Sequence, residues 1–325
     1  MANTLPLQDN SSWIGKYGFD FYALALLTGD TVSLFKKYAS VKSLQLIPRF
    51  DMSGLIQKSD GTYTSAGSAV LSNKTLTVVP LKVNYTIIED VLEQDFLSLQ
   101  LPDGSNRADI PSDFEDFIKL QIAANVSQDT ENLLWNGQIG VTGGYYGTAG
   151  TTVTATNYVL SLANGLFALF NGATSSDQPV TVTGASASFG TTGSAITALT
   201  AVYKNIPKTI RYRDDLKIFL DTQAAAVYAR DSANVATANG AYFVGARPLD
   251  FLGIPLVPSP WLNGNMVAAR CSNLYFGTDL SSDQIQIQLL DMWGITAERS
   301  VRFAMNFKWG VNYGVGPEIV WYQGS

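Results

Sequence analysis

Two β-type runs, each containing a proline, constrain the fold of this chain most. Residues 44–52 alternate strictly between apolar and polar positions, and a second β-rich run covers residues 76–85. The turn signal Ser59-Asp60-Gly61 lies between them, so the two runs predict a long hairpin. Because proline cannot donate to a β-ladder, Pro48 and Pro80 predict edge strands. A two-stranded ribbon is marginally stable alone, so we expect it to rest on a neighbouring molecule.

The segment after the hairpin predicts one long α-helix. Ser112 and Glu115 match a capping box, and Gly137 predicts the end of the helix. A helix over residues 113–136 would be about 35 Å long at 1.5 Å per residue. Apolar residues at helical spacing form one stripe along it: Phe114, Phe117, Ile118, Ile122 and Val126.

The rest of the chain predicts a mixed region followed by a β-rich one. Residues 146–282 alternate between helical and short β-type patterns, and residues 283–325 are almost entirely β-like with Gly and Pro between the runs. Cys271 lies in an apolar stretch, residues 266–276, that predicts a buried strand. The overall prediction is an α+β fold.

Composition excludes several classes of function. The 21 Lys and Arg against 27 Asp and Glu give a net charge of −6, which argues against a dedicated DNA-binding protein. The chain has no His and one Cys, so His-containing triads, an internal disulfide and most zinc sites are excluded. We predict no cofactor, no membrane span and no signal peptide. A charged fraction of only 15% suggests that part of the surface is covered in an assembly.

Two pairs of adjacent carboxylates are the strongest candidates for catalysis. Asp214-Asp215 and Glu89-Asp90 have the chemistry that a glycosidase uses. Adjacent residues on a strand point to opposite faces, so their spacing does not bring them to one site. We interpret them as solvated or subunit-bridging residues.

Charged residues in two loops predict contacts between subunits. Arg211 and Arg213 flank Tyr212, and they would serve either as a phosphate-facing patch or, the interpretation we favour, as ion-pair donors to another subunit. Lys58 and Asp60 lie at the predicted hairpin tip. The predicted inter-subunit contacts are Lys58, Asp60, Arg211, Arg213, Asp214 and Asp215.

The order of these features resembles that of the major capsid proteins of tailed bacteriophages, which have the Hong Kong 97 fold. Four short segments carry the resemblance, in the expected order along the chain. They are residues 133–137 (Leu-Leu-Trp-Asn-Gly), Ile206-Pro207 with Arg211, residues 252–257 (Leu-Gly-Ile-Pro-Leu-Val) and residues 273–279 (Asn-Leu-Tyr-Phe-Gly-Thr-Asp), followed by a final strand at residues 301–309.

The resemblance implies a division of the chain into the parts of that fold. Residues 1–40 would be an N-terminal arm and residues 41–84 the extended hairpin called the E-loop. Residues 85–145 and 283–325 would form the P-domain, which includes a spine helix at 113–136. Residues 146–282 would form the A-domain.

The resemblance also implies a structural, non-enzymatic function. Many copies would assemble into hexamers and pentamers of an icosahedral phage head that encloses double-stranded DNA, held without sequence specificity. The protein would be part of the virion and would be assembled in the host cytoplasm. Its partners would be a portal, decoration proteins and a scaffolding protein. The scaffold is expected to be a separate chain, because little sequence precedes the hairpin.

Two alternatives remain open at this point. The same fold would also suit an encapsulin-like compartment that holds enzymes instead of a genome. From a different class, a β-rich carbohydrate-active enzyme would use the six Trp, the 15 Tyr and the paired carboxylates.

Overall fold

The computed structural model describes most of the chain from residue 31 onward. The described residues are 31–59, 61, 65, 67–88, 112–141, 144–146, 158–184, 189, 193–238, 249–279, 287–292, 296, 298 and 300–324. Predictions for residues 1–30, for Asp60 and for Glu89-Asp90 lie outside this part, as do those for the side chains of Phe114, Phe117 and Ile118.

The described residues form four α-helices and thirteen strands. The helices are α1 (Ser112–Asn136), α2 (Leu166–Asn171), α3 (Ser194–Asn205) and α4 (Thr222–Ala238). The first strands are β1 (Lys36–Tyr38), β2 (Leu44–Ser53), β3 (Ser68–Thr77), β4 (Val79–Ile88), β5 (Val180–Thr183), β6 (Leu216–Asp221) and β7 (Asp250–Phe251). The others are β8 (Ile254–Ser259), β9 (Met266–Arg270), β10 (Leu274–Thr278), β11 (Ile287–Asp291), β12 (Ser300–Tyr313) and β13 (Val320–Gln323).

The long helix α1 confirms the predicted spine helix. It ends where Gly137 N–H donates to the carbonyl of Leu133, 3.0 Å away. The apolar residues of its last turn, Leu133, Leu134 and Trp135, are buried. The helix is therefore anchored in the core at its C-terminal end.

The first sheet has five strands arranged around β12. β4 pairs antiparallel with β12 along its whole length, from Val79 opposite Trp309 to Ile88 opposite Ser300. β10 and β11 pair with the other edge of β12, and β1 adds in parallel to β10. The predicted C-terminal strand is confirmed, and Pro80 lies in an edge strand as its missing N–H requires.

The second sheet has six strands in the order β5-β13-β9-β6-β8-β7. Its central strand β6 is buried on both faces. Phe219 packs into a core shared with α1, α2 and the first sheet, whereas Ile218 and Leu220 pack with α3 and α4. This follows from the alternation of side chains along a strand.

The strands cross the predicted boundary between the P-domain and the A-domain. β10, from the predicted A-domain, lies in the first sheet, and β13, from the predicted P-domain, lies in the second. Of the predicted N-terminal arm, residues 31–40 are described. Val32 and Phe35 of that segment are buried, and β1 pairs with β10. The described end of the arm is therefore part of the core, and the domain division stays a prediction.

The third sheet is a two-stranded hairpin formed by β2 and β3. Its register runs from Leu44 opposite Thr77 to Ser53 opposite Ser68. The prediction that residues 76–85 form the second arm was wrong, because Val79–Ile88 is β4 and pairs with β12. The true second arm is rich in Ser, Thr, Asn and Lys. A strand that faces solvent needs no apolar alternation, so its pattern was weak.

A glycine in β12 lets the root of the hairpin pass directly over the first sheet. A Cβ added at Gly310 would overlap the carbonyl oxygen of Thr77 and lie 3.0 Å from the Cα of Val78. Both of these atoms belong to backbone, which cannot yield as a flexible side chain can. The close approach therefore requires glycine at this position.

Gly310→Ala is expected to lower the free energy of unfolding by about 1–3 kcal/mol, the usual cost of overpacking a core. Denaturant unfolding would measure the loss. Gly172→Ala is the control, because the nearest atom to its added Cβ is the Ala168 carbonyl oxygen, 3.2 Å away. Equal losses in the two variants would contradict the tight approach.

Candidate interaction surface

The hairpin carries an exposed apolar face. Directly paired residues of an antiparallel ladder share a face, so Phe50 and Leu71 lie side by side. The large apolar residues of this face are between 48% and 68% exposed: Leu44, Leu46, Phe50, Met52 and Leu71. Contiguous exposed apolar side chains of this kind mark interaction sites. We call this set the apolar face of the hairpin.

The opposite face of the hairpin is buried at its root. Ile47 and Leu76 lie on this face and are buried. The Asn312 side-chain amide donates to the carbonyl of Thr75 at 2.7 Å, which joins β3 to β12. The hairpin thus packs on the body by one face at one end, and its other face is left to solvent.

Just beyond this root, one carboxylate bridges both strands of the hairpin. Asp177 lies in the turn between α2 and β5, where its N–H donates to the carbonyl of Thr174. Arg49 of β2 contacts its Oδ1 at 2.7 Å, and Lys74 of β3 contacts its Oδ2 at 2.7 Å. The N–H of Gly316 also donates to Oδ1, at 3.1 Å. We call Arg49, Lys74 and Asp177 the root clamp.

The last residue of β12 completes the surroundings of the clamp. The Tyr313 hydroxyl donates to the backbone carbonyl of Asp177 at 3.2 Å. The Lys74 ammonium lies 3.0 Å from the centre of the Tyr313 ring, which places a cation against the ring face. Burial raises the pKa of Tyr313, and the charge of Asp177 raises it further, so the hydroxyl stays protonated.

Burial and neighbouring charges shift the pKa values of the clamp residues in opposite directions. Burial lowers the pKa of Lys74 to about 8, although its hydrogen bond to Asp177 opposes the change. Burial would raise the pKa of Asp177, but hydrogen bonds from Lys74 and Gly316 and the charges of Lys74 and Arg49 hold it below its usual value. At neutral pH the clamp therefore contains one carboxylate and two cations.

The arginines predicted for subunit contacts have different surroundings. Arg211 donates to the carbonyl of Ile206 at 2.9 Å, and its guanidinium lies 4.6 Å from the centre of the Tyr203 ring. Arg211 thus stabilises the C-terminal end of α3. Arg213 and Asp214 are exposed in the turn that leads into β6. Their role between subunits remains a prediction.

The predicted carboxylate pair is divided between two environments. Asp214 is exposed, whereas Asp215 accepts hydrogen bonds from Arg270 and Ser272. Burial would raise the pKa of Asp215, but these hydrogen bonds and the Arg270 charge hold it below its usual value. Arg270 also contacts Glu318 at 3.5 Å. Arg270 therefore links Asp215, just before β6, to Glu318, just before β13, and Asp214 and Asp215 do not form a two-carboxylate site.

Cys271 lies in a short 3-10 turn rather than in a buried strand. The turn, Cys271–Asn273, joins β9 of the second sheet to β10 of the first, so a change of sheet interrupts the predicted strand. The thiol is half-buried, and burial raises its pKa. Within the described part of the chain, no three His, Cys, Asp or Glu residues are grouped to hold a metal. None of the described helices combines the length and apolar character that crossing a bilayer requires.

The two predicted contacts at the hairpin tip fall in the loop between β2 and β3. Lys58 is exposed there, and Asp60 lies outside the described residues. Two apolar residues of the same loop, Leu55 and Ile56, are also exposed. The apolar character of the tip therefore continues that of the hairpin face.

Comparison with known proteins finds a match in structure and none in sequence. No family model and no curated protein sequence matches the chain. Among solved structures, the satellite phage P4 procapsid including size determination (Sid) protein matches with a TM-score of 0.58 at 12% identity, over 100% of this chain and 92% of that one. The capsid of an empty GTA particle computed with C5 symmetry matches with a TM-score of 0.56 at 13% identity, over 93% and 90%.

The chain has the Hong Kong 97 fold. A structure from Gordonia phage Cozz matches as well, with a TM-score of 0.55 at 12% identity over 91% of this chain and 86% of that one. The α+β prediction and the resemblance to phage capsid proteins are thereby confirmed at the level of the fold. In the Hong Kong 97 fold of this chain, α1 is the spine helix and β2 and β3 form the extended hairpin.

Sequence reasoning missed the root clamp. Asp177 is 128 residues from Arg49 and 103 from Lys74, and no local pattern connects them. Lys74 lies in β3, the polar second arm of the hairpin, which the sequence analysis had wrongly assigned to residues 76–85. The sequence carries no local signal for the clamp, because Asp51 follows Arg49 at the two-residue spacing of one strand face and Arg49 therefore does not call for a distant partner.

Proposed function

We propose that this chain is a major capsid protein, which assembles with many copies of itself into hexamers and pentamers of an icosahedral phage head around double-stranded DNA. The Hong Kong 97 fold, shared with phage capsid structures over nearly the whole chain, supports this proposal. The role is structural, and Asp214 and Asp215, one of the two carboxylate pairs that favoured an enzyme, do not form a two-carboxylate site.

The observation that carries the proposal is the apolar face of the hairpin. A hairpin strand of ten residues, with the large apolar side chains of one face about half or more exposed, is a poor arrangement for an isolated subunit. We assign a second copy of the chain as the partner that covers it. One of the matched capsids was computed with C5 symmetry, which is an arrangement of repeated copies.

Other contacts and partners follow from this function. The exposed residues Lys58, Arg213 and Asp214 would contribute polar contacts at the edges of subunit interfaces, where ion pairs affect specificity more than affinity. A separate scaffolding protein, a portal and decoration proteins would act during and after assembly. The DNA would be held without sequence recognition, in keeping with a net charge of −6. The protein would assemble in the host cytoplasm and remain in the virion capsid.

Electron microscopy of the expressed protein tests the proposal. The chain, produced with and without a co-expressed scaffolding protein, is expected to form closed shells of uniform size in negative stain. Sedimentation of the same samples would show the corresponding large particles. A protein that stays monomeric at high concentration with the scaffold supplied would overturn the proposal.

A further inference from the structure

We propose that Asp177 is a positioning residue that sets the direction of the hairpin relative to the two sheets. This inference rests on the proposed function, because it concerns the angle at which the apolar face meets a second copy. It starts from the position of the root clamp, which joins both strands of the hairpin to a turn of the body.

Asp177 is itself held from the side of the body. Its backbone carbonyl accepts the Tyr313 hydroxyl, and its Oδ1 accepts the N–H of Gly316. A Cβ at Gly316 would overlap the carbonyl oxygen of Asp177, so this turn and the segment that follows β12 are in close contact. The carboxylate is therefore a fixed point to which Arg49 and Lys74 attach the hairpin.

The clamp lies at a point where a small change in the angle of the hairpin moves its far end by a large distance. On the face that carries the clamp, Ile47 and Leu76 are buried in the body on one side of it, and Val70 is 55% exposed on the other side. At about 3.4 Å per residue, the strand continues roughly 14 Å beyond Arg49 to Ser53, before the loop begins. A rotation of 10° at the root would move this end by about 2 Å, which is enough to disturb a packed interface.

Lys74 sets how the clamp responds to alkaline pH. The groups that face it are Asp177, Arg49 and Tyr313, and burial lowers its pKa to about 8. Because this pKa is below the ordinary 10.5, deprotonation between these values favours the state in which Lys74 is buried. An opened hairpin would return Lys74 to solvent and to its ordinary pKa. A rise in pH from 7 to 9 should therefore favour the clamped hairpin rather than loosen it.

Spin labels on unassembled full-length subunits test the inference. Labels at Lys58→Cys and Lys208→Cys, in a Cys271→Ser background, report the distance between the hairpin loop and the body. The wild-type clamp should give a narrow distance distribution at pH 7. Asp177→Asn should at least double its width and slow assembly at least tenfold at equal subunit concentration.

Two further measurements separate positioning from a merely structural role. Asp279→Asn removes another 2.7 Å lysine contact, to Lys308 in the first sheet, and should change neither the distance distribution nor the assembly rate. Raising the pH to 9 should leave the wild-type distribution as narrow as at pH 7, because the lowered pKa of Lys74 favours the clamped state as the pH rises.

An Asp177→Asn protein with the wild-type distance distribution and assembly rate would overturn the inference. Broadening of the wild-type distribution at pH 9 would do the same. A wild type that forms no shells would instead overturn the proposed function, and the distance distributions would still decide whether Asp177 directs the hairpin.

Discussion

Replacing Phe50 and Leu71 together with serine is expected to abolish shell formation without changing the free energy of unfolding of the subunit. The two residues lie side by side on the apolar face and are 61% and 68% exposed, so the folded subunit gains little from them. Burial against a second copy would contribute about 1.5–3 kcal/mol for each side chain. Losing about 3–6 kcal/mol at every interface would weaken each contact by a factor of roughly 100 or more.

A neighbouring residue provides the matched control for this experiment. Val70 is 55% exposed but lies on the opposite face of the hairpin, paired with Asp51. Val70→Ser should therefore leave assembly close to that of the wild type. Light scattering and negative-stain microscopy would follow assembly, and denaturant unfolding would follow subunit stability. Equal assembly defects in the Val70 and the Phe50/Leu71 variants would contradict the assignment of the face.

Trp135→Ala is expected to lower the free energy of unfolding by about 3–5 kcal/mol. Trp135 is fully buried at the C-terminal end of α1, and its ring lies 5.5 Å from that of Phe219 and 5.6 Å from that of Phe167. It thus joins the spine helix to α2 and to the second sheet. The loss is a large share of a typical stability of about 5–15 kcal/mol, so the variant should melt roughly 10 °C lower and yield little assembled protein.

Two controls test the cause of this loss. Trp135→Phe keeps an aromatic ring in place and removes an indole N–H that has no hydrogen-bond acceptor among the described residues, so it should lose less than half as much as the alanine variant. Ile139→Ala, at a residue 56% exposed just beyond the helix, should change stability by less than about 0.5 kcal/mol. Similar losses at Trp135 and Ile139 would contradict the central place given to Trp135.

The hairpin shows which features a local sequence pattern can predict and which it cannot. Strict alternation in residues 44–52 predicted β2 correctly, because the strand is a local structure with a period of two. The pattern did not reveal that the apolar set faces solvent, whereas Ile47, on the more polar face, is buried. Which face is covered depends on where β12 and β10 lie, and the pattern of one strand does not contain that information.

The sequence alone determined the elements whose signals are local. These are the spine helix with its buried end at Leu133-Leu134-Trp135, the first hairpin strand and the long C-terminal strand, and their order was enough to indicate the fold. Each follows from hydrophobic periodicity and capping, which act over a few residues.

Only the tertiary structure decided the pairings between distant segments. It assigned Ser68–Thr77 to the hairpin and Val79–Ile88 to β12, and it brought Asp177 to Arg49 and Lys74 across more than a hundred residues. The physical reason is that solvent-facing strands and single charged residues carry no periodic signal. Their partners are selected by burial and charge once the chain has folded, so the clamp at the root of the hairpin became visible only in three dimensions.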